Sequence, residues 1–241
     1  MSLKHSIRRL IRKTGYDITR YNTESHPIAQ MRQFLHSNNI DTVLDIGANS
    51  GQFAEFIRKG LGYTNTIISF EPLSSAFSVL KAKADKDPCW DAFNIALGNS
   101  EEFSEINISS NSYSSSLLEM LPSHLKSAPN SGYLGKEKIE IKKLDSIFDD
   151  FCNKNCKVYM KIDTQGFESK VLKGAEKSLK MIHTVQMEMS LVCLYEGEML
   201  FDELYSFMKA KGFSLVAILP GFADKETGQL LQVDGIFHRY I

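Results

Sequence analysis

The segment KIDTQGFE, residues 161–168, places four polar side chains around a single glycine. It follows residues 156–160, an apolar-leaning run that predicts a buried strand. A carboxylate that ends a buried strand must be paired or must face a ligand, because burying it alone is costly. We therefore predict that Asp163 lies in a site and takes part in its chemistry.

A second informative segment is VLDIGANSGQF, residues 43–53, in which an apolar strand ends near Asp45 and turns through Gly47 and Gly51. Glycine lets the backbone approach a ligand closely and adopt torsions that side chains forbid. Glu71 follows twenty residues after Gly51, at the end of the next predicted strand, where a carboxylate can accept both ribose hydroxyls. Together these positions predict a site for a nucleoside-bearing cofactor.

The chemistry of the first turn narrows the class of cofactor. Dinucleotide sites usually follow the pattern G-x-G-x-x-G, which seats a pyrophosphate at a helix N-terminus. Here Asp45 precedes the first glycine, and its charge would repel a pyrophosphate but attract a cationic amino-acid tail. S-adenosylmethionine has such a tail, with an ammonium and a sulfonium. A glycine-rich turn without any ligand is the alternative.

Alternating strands and helices must position these residues. The predicted strands are 41–46, 66–70, 91–97, 157–162 and 183–189, and the predicted helices are 52–59, 74–83, 167–180 and 199–210. This alternation predicts an α/β fold with a mostly parallel sheet and helices on both faces. Residues 213–219 and 231–238 flank a turn rich in glycine and proline, which predicts a C-terminal antiparallel strand pair.

The middle of the chain differs from the rest. Residues 102–108 and 137–143 alternate polar and apolar side chains, as half-exposed strands do. Residues 109–135 between them are rich in Ser, Asn, Pro and Gly. Long excursions of this kind are usually functional or disordered, so we predict a loop-rich insertion at about 102–143.

Composition excludes several classes of protein. The formal net charge of -1 argues against a dominant nucleic-acid-binding face, and no apolar run is long enough to span a bilayer. The first residues lack the apolar core of a secretory signal. The four cysteines have no metal-binding spacing and too low a density for a disulfide framework, so we expect reduced thiols and a cytoplasmic protein.

The first twenty residues are strongly basic. They contain Lys4, Arg8, Arg9, Arg12, Lys13 and Arg20 against the single acid Asp17. Apolar residues recur at helical spacing at Leu3, Ile7, Leu10 and Ile11, which predicts a basic amphipathic helix. Such a helix either packs as a lid on its own domain or contacts an anionic membrane surface or an acidic partner.

Motifs in one order along the chain resemble those of the FkbM family of S-adenosylmethionine-dependent methyltransferases. They are Leu44–Gly51, Ser69–Pro72, Ala96–Gly98, Ser114–Leu117, Leu144–Asp145, Lys161–Glu168, Tyr195–Gly197 and Gln232–Asp234. The resemblance covers most of the chain from about residue 41. It implies a Rossmann-like class I methyltransferase fold over residues 41–241. The helices predicted before this region are expected to form an N-terminal helical cap at 1–40.

The resemblance also implies roles for residues of the cofactor site. Those expected around the methionine part of S-adenosylmethionine are Asp45, Gly47, Asn49 and Gly51, with Asp163 beside the transferred methyl group. Glu71 is expected to hold the ribose. Asn94, Ala96 and Leu97 are expected to border the adenine, and Asn94 is chosen for its location more than for its motif.

For the acceptor, the candidate general bases are Asp163, His124 and Glu188. Asp163 and Glu188 end neighbouring predicted strands, so they would also be the ligands of a divalent cation if the enzyme needs one. The residues expected on the acceptor side are Ser115, Ser116, Gln165, Glu168 and Tyr195. For Glu168, a role at the N-terminus of the next helix remains an equal alternative.

These inferences predict an O-methyltransferase that acts on a hydroxyl of a sugar, a polysaccharide precursor or a glycosylated natural product. The preference for a hydroxyl is an implication of the family resemblance. The alternatives are an N- or carboxyl-directed small-molecule methyltransferase and a non-catalytic cofactor-binding protein on the same fold. The expected partner is a small-molecule or glycan acceptor, without nucleic acid.

Overall fold

The computed structural model describes residues 3–240, with side chains described from Ile7 onward. Its helices are α1 Leu3–Arg12, α2 Pro27–Ser37, α3 Gln52–Glu55, α4 Ser74–Ala84, α5 Pro122–Ser127, α6 Leu144–Phe151, α7 Glu168–Lys173 and α8 Phe201–Ala210. Its strands are β1 Thr42–Ile46, β2 Thr66–Phe70, β3 Trp90–Phe93, β4 Ala96–Leu97, β5 Glu102–Ser109, β6 Tyr133–Lys142, β7 Val158–Ile162, β8 Ile182–Ser190, β9 Ser214–Pro220 and β10 Gln232–His238.

Seven strands form the main sheet in the order β3-β2-β1-β7-β8-β10-β9. The first five run parallel, and β10 pairs antiparallel with both β8 and β9. Every residue of β1 and β7 is buried, as expected of central parallel strands covered by helices on both faces. The predicted fold class, a mostly parallel α/β sheet with a C-terminal antiparallel pair, is confirmed.

The two faces of the sheet carry separate cores. One core contains Leu44, Met160 and Met187, which pack against residues of α6, α7 and α8. On the other face, Val43 and Tyr159 pack against Met31, Leu35 and residues of α3. Alternation along each strand assigns neighbouring residues to opposite faces. The second face therefore also receives Asp45, Lys161 and Asp163, the charged residues discussed below.

The predicted third strand at 91–97 is divided. Its first part, β3, belongs to the main sheet, whereas β4 pairs with β6 in a second sheet of order β4-β6-β5. The break falls at Asn94, whose side-chain amide donates hydrogen bonds to the carbonyl oxygens of Glu71 and Pro72. These hydrogen bonds fix the chain where it passes from one sheet to the other.

Two helices differ from their predictions, one in type and the other in length. The helix predicted at 52–59 is α3 followed by a π-helical turn at Phe56–Leu61, and the one predicted at 167–180 ends as α7 near Gly174. A Cβ at Gly174 would lie 1.8 Å from the carbonyl oxygen of Gly98. The close approach of these two backbones leaves no room for a side chain at Gly174.

The insertion is more ordered than its composition predicts. β5 and β6 form an antiparallel pair, and the segment between them contains α5 and a 3₁₀ turn at Pro129–Ser131. Between residues 3 and 240, no helix has the length and the apolar character needed to cross a bilayer.

Candidate functional site

A cavity of about 320 Å³ lies where β1, β2 and β7 end. Because β1 pairs in parallel with both neighbours, the residues that follow Ile46, Phe70 and Ile162 meet at one edge of the sheet. The volume falls within the roughly 300–1,000 Å³ of small-ligand pockets. Gly47, Glu71 and other residues after these strand ends line it.

The turn after β1 brings two strand ends into contact. Gly47 has φ of 76°, and a Cβ there would lie 1.9 Å from the carbonyl oxygen of Asp163. Its amide and that of Ala48 donate to the carbonyl oxygen of Phe70 at 3.0 Å, which also ties the turn to β2. Asn49 follows in the left-handed region, with φ of 47°. The glycine is required because any side chain would separate β1 from β7.

Gly51 has a different role in the structure. It does not line the cavity, and a Cβ there would approach the Cη2 atom of Trp90 to 2.8 Å. This glycine therefore lets the start of α3 pack against β3. Its predicted contact with a cofactor stays a prediction, whereas Gly47 and Asn49 line the cavity directly.

The carboxylate of Glu71 is fixed by the backbone. Its Oε2 accepts a hydrogen bond from the amide of Asn49 at 2.8 Å, and its Oε1 accepts one from the amide of Leu73 at 2.9 Å. Burial raises the pKa of Glu71 to about 7, although both backbone hydrogen bonds oppose this shift. A carboxylate held in this way keeps lone pairs free for two neighbouring hydroxyls of a ligand.

At the other end of the cavity, Asp163 pairs with Lys161. The Nζ of Lys161 donates to Oδ2 of Asp163 at 3.0 Å and lies 5.3 Å from the centre of the Phe53 ring. Burial alone would raise the pKa of Asp163, but the Lys161 ammonium and a hydrogen bond from Gln165 hold it below its usual value. Asp163 is therefore ionised at neutral pH, and 35% of its side chain remains exposed.

Gln165 joins the two carboxylates of this end. Its Nε2 donates to Oδ1 of Asp163 and to Oε2 of Glu188, both at 2.9 Å. Its Oε1 accepts a hydrogen bond from the hydroxyl of Tyr195 at 2.8 Å. The amide of Gln232 donates to the same Glu188 oxygen at 2.8 Å. The orientation of the Gln165 side chain is thus set by three neighbouring groups, those of Asp163, Glu188 and Tyr195.

The two carboxylates differ in charge. Burial, reinforced by the negative charge of Asp163, raises the pKa of Glu188 well above its usual value. Since Asp163 is ionised and beside it, the Glu188 carboxyl is stabilised in its neutral form. The site therefore holds one ionised and one neutral carboxyl group, both on the cavity wall.

Three residues at this end of the site, Lys161, Phe53 and Gln232, are not among the predicted site residues. Lys161 stands two residues before Asp163, and alternation along a strand places both side chains on one face. This spacing was a usable signal for Lys161. Phe53 comes from α3, and no pattern near it indicates that it reaches this cavity. Gln232 comes from β10 and begins one of the family motifs, but that motif does not indicate a contact with Glu188.

Some of the predicted cofactor residues line the cavity, and others do not. Ala96 and Leu97 line it, as does the neighbouring Ile95. Asn94 does not, since its amide is used in the turn between the sheets. Asp45 is fully buried beneath the cavity, with one oxygen 3.4 Å from the Ser69 hydroxyl and Oδ1 without a hydrogen-bond partner among the described residues.

Burial raises the pKa of Asp45 to about 6, an effect that the charge of Lys161 opposes. Lys161 is the direct neighbour of Asp45 in the register between β1 and β7. Burial disfavours the Lys161 ammonium, but Asp163 and Asp45 raise its pKa above the usual value. Asp45 does not line the cavity, but its charge acts on Lys161, which does. The predicted contact of Asp45 with the cofactor remains a prediction.

Of the predicted acceptor residues, some line the cavity and others lie behind its wall. Ser115 and Gln165 line the cavity. Ser116 is buried, and its hydroxyl donates to the carbonyl oxygen of Gln165 at 2.7 Å. Glu168 is buried, and its Oε1 accepts hydrogen bonds from the amide and the hydroxyl of Thr164 at 2.8 and 3.0 Å. Burial raises the pKa of Glu168 to about 7. Ser116 and Glu168 thus shape the turn from behind the cavity wall.

His124 lies outside the cavity. It belongs to α5, and its buried ring packs against the rings of Tyr195 and Phe222 at 5.2 and 5.6 Å. Burial lowers the pKa of His124, so the ring is neutral. Tyr195 stands between this histidine and Gln165. Residues Ser112, Tyr113 and Leu117 of the insertion reach the cavity instead. As placed here, His124 has no direct path to a bound acceptor.

The carboxylates do not form a recognisable metal site. Among residues 3–240, no group of three or more His, Cys, Asp or Glu side chains is arranged to hold a metal ion. The Gln165 amide stands between Asp163 and Glu188, where a shared cation would have to bind. The residues present therefore do not fit the divalent cation considered from the sequence.

The family model described as the Methyltransferase FkbM domain matches residues 45–215. Among curated proteins, none gave a significant match.

Three solved structures illustrate the structural likeness. One is an rRNA methylase from Streptococcus thermophilus, at 9% identity and a TM-score of 0.48, covering 90% of this chain and 98% of that chain. Another is a methyltransferase FkbM from Methylobacillus flagellatus KT, at 13% identity and a TM-score of 0.44, covering 82% of this chain and 44% of that chain. The third is a magnesium protoporphyrin IX methyltransferase from Synechocystis PCC 6803 with bound S-adenosylmethionine. Its sequence identity is 10% and its TM-score is 0.46, and the match covers 100% of this chain and 98% of that chain.

The family assignment rests on the family model, because structural matches this distant in sequence carry no information on function. That model covers well over half of the chain and includes the turn after β1, Glu71, Asp163 and Glu188. The chain therefore belongs to the FkbM methyltransferase family and is an S-adenosylmethionine-dependent methyltransferase.

Proposed function

We propose that the enzyme transfers a methyl group to a hydroxyl of a sugar, a polysaccharide precursor or a glycosylated natural product. The observation that carries this proposal is the pair of carboxyl groups, one ionised and one neutral, that Gln165 joins on the cavity wall. An alcohol is a poor nucleophile until a base takes up its proton. Asp163 is the ionised carboxylate that is placed to do so.

The cofactor fits the opposite end of the cavity. Glu71 is held rigidly enough to accept the two ribose hydroxyls, and the Gly47 turn leaves space for a ligand close to the backbone. Ala96 and Leu97 provide an apolar wall for the adenine. When bound, S-adenosylmethionine supplies a methyl group on a positively charged sulfur. The negative charge of Asp163 favours that cation nearby.

The acceptor would enter between Asp163 and the insertion. Ser112 and Ser115 line this part of the cavity and offer hydroxyl groups to a polyhydroxylated ligand. Methyl transfer is an in-line displacement, so holding the hydroxyl in line with the methyl group accounts for much of the acceleration. Asp163 accepts the hydrogen bond of the attacking hydroxyl and then its proton, while Gln165 keeps the carboxylate oriented.

Glu188 is the alternative general base. The dependence of the methylation rate on pH distinguishes Glu188 from Asp163. Asp163, with its lowered pKa, is ionised at every pH from 6 to 9, so it predicts a flat rate over this range. Glu188, with its raised pKa, predicts a rate that falls as the pH decreases and the carboxylate takes up a proton. The rate measured with a good acceptor and saturating S-adenosylmethionine at each pH decides between them, because saturation removes the effect of Glu71, whose pKa of about 7 lies in the same range.

The acceptor class is tested with isotopically labelled donor and a panel of sugar nucleotides, glycans and glycosylated small molecules. We expect a labelled methyl ether in at least one sugar-containing acceptor, formed about a thousandfold more slowly by the Asp163→Asn variant. A methyl ester or a methylated amine as the sole product would support the N- or carboxyl-directed alternative. Binding of S-adenosylhomocysteine without turnover on any acceptor class would support a non-catalytic protein.

The setting of the reaction is also part of the proposal. All four cysteines are free, which supports a reducing compartment such as the cytoplasm. The net charge of -1 supports a small-molecule or glycan acceptor over a nucleic acid.

A further inference from the structure

The N-terminal basic segment, residues 7–21, differs in charge from the rest of the protein. Residues 1–20 hold six basic side chains and one acidic side chain, a net of +5, in a chain whose net charge is -1, so residues 21–241 carry -6. The chain is therefore strongly asymmetric in charge. Its basic end is suited to an anionic surface that the acidic body would avoid.

The same segment exposes apolar side chains. In α1, Ile7 is 50% exposed and Leu10 is 67% exposed, and Tyr16, Ile18 and Tyr21 are also exposed. α2 provides the contrast, since its apolar residues Ala29, Met31 and Leu35 are buried in the domain. A helix that served as a lid on the domain would bury its apolar face as α2 does. In α1, Ile7 and Leu10 remain in solvent, and Ile11 is half-buried.

An ion-pair network joins α1 to the chain that follows it. Asp17 accepts two hydrogen bonds from Arg8, both at 2.7 Å, and one from Arg12 at 2.9 Å. The side chain of Asp17 also accepts a hydrogen bond from the amide of Ile18. The residues around Asp17 are thus held beside α1 by Arg8 and Arg12.

Part of the basic charge remains available after this pairing. Asp17 engages Arg8 and Arg12, which leaves Arg9, Lys13 and Arg20 without an acidic partner among the described residues. Helical spacing sets Ile7, Leu10 and Ile11 on one side of α1 and its arginines on the other. A short helix with this division of residues lies in the plane of a membrane interface, with its basic side chains at the headgroups.

We propose that the N-terminal basic segment docks the enzyme on an anionic lipid surface. Ile7 and Leu10 enter the boundary between headgroups and acyl chains, Tyr16 and Tyr21 lie at headgroup level, and the basic residues contact the lipid phosphates. The lipid surface is favoured over an acidic protein because apolar, aromatic and basic side chains occur together on one exposed segment. One short helix gives weak, reversible binding that depends on anionic lipid and on salt.

The test is co-sedimentation of the full chain with vesicles of phosphatidylcholine and phosphatidylglycerol, and with vesicles of phosphatidylcholine alone. We expect binding to the anionic vesicles, loss of binding in high salt, and little binding to the neutral vesicles. The double variant Ile7→Glu/Leu10→Glu should lower the bound fraction about tenfold or more, because each acid replaces an inserted apolar group.

A matched control is the double variant Leu134→Glu/Ile218→Glu, which also replaces two exposed apolar residues by acids, at 76% and 51% exposure. It should bind the anionic vesicles as the unmodified chain does. Equal binding by the Ile7→Glu/Leu10→Glu variant, or no binding by the unmodified chain, overturns the proposal. Light scattering without vesicles is the second readout, since self-association lost only in the Ile7→Glu/Leu10→Glu variant would assign the face to a second copy of the chain.

Discussion

The two ends of the cavity hold their carboxylates by different means. At one end, both oxygens of Glu71 accept hydrogen bonds from backbone amides. At the other end, Asp163 and Glu188 are held by side chains, chiefly the Lys161 ammonium and the Gln165 amide. The backbone arrangement is formed by the turns after β1 and β2. The side-chain arrangement depends on residues of β7, β8 and β10, because Gln232 of β10 also donates to Glu188.

This difference separates binding from proton transfer. Backbone amides fix the position of a carboxylate, which suits the recognition of a constant part of a cofactor. Charged and amide side chains set the protonation of a carboxylate as well as its position, which suits a group that must accept a proton during each turnover. We therefore expect substitutions at the two ends to affect different kinetic quantities.

The largest expected effect is that of Asp163→Asn, which keeps the shape of the side chain and removes its charge. We expect kcat to fall by about a thousandfold, the scale of general-base catalysis, with little change in the Kd for S-adenosylhomocysteine. Steady-state kinetics and calorimetry measure the two quantities. Glu71→Gln is the matched variant at the other end, where the Kd should rise about tenfold for loss of charged hydrogen bonds. The same Kd change in both variants would contradict the division of roles.

The next effect concerns Gly47, which joins the two ends. In Gly47→Ala the added Cβ would meet the Asp163 carbonyl oxygen at 1.9 Å, so we expect the free energy of unfolding to fall by about 3 kcal/mol or more. Gly62→Ala is the control, because Gly62 has a similar φ of 72° but no atom within 4 Å of the added Cβ. It should cost about 1 kcal/mol, from the strained backbone alone. Chemical denaturation measures both, and equal losses would show that the contact with Asp163 is unimportant.

The smallest effect is a dependence of stability on pH. Burial raises the pKa of Asp45 to about 6 and those of Glu71 and Glu168 to about 7, so the folded protein binds more protons than the unfolded chain between about pH 4 and 7. The free energy of unfolding should therefore decrease as the pH rises through this window, because the folded protein loses these extra protons. The lowered pKa of Asp163 acts in the opposite direction, but at lower pH.

Thermal or chemical unfolding of the unliganded protein between pH 5 and 8 measures this slope. Glu71→Gln should reduce the slope, since it removes one of the titrating groups from the backbone-held end. A stability that increases from pH 5 to pH 8 would show that these carboxyl groups are not neutral in the folded protein. That result would also weaken the assignment of Glu188 as a neutral group.

The amino-acid sequence alone determined the alternating strands and helices, the turn after β1, and the meeting of Glu71 and Asp163 at one edge of a parallel sheet. Local patterns suffice for this, because the direction of parallel strands fixes where their ends lie. The charge and spacing that mark α1 as a basic amphipathic helix are equally local.

Only the tertiary structure decided which side chains reach the cavity. Gln165 bridges two carboxylates because the turn after β7 places it in the left-handed region, with φ of 54°, opposite Glu188 of β8. Asn94 is occupied in a turn and His124 lies behind Tyr195, although each stands in a segment that the sequence placed near the site. Side-chain contacts between residues far apart in the chain depend on packing, which no local spacing specifies.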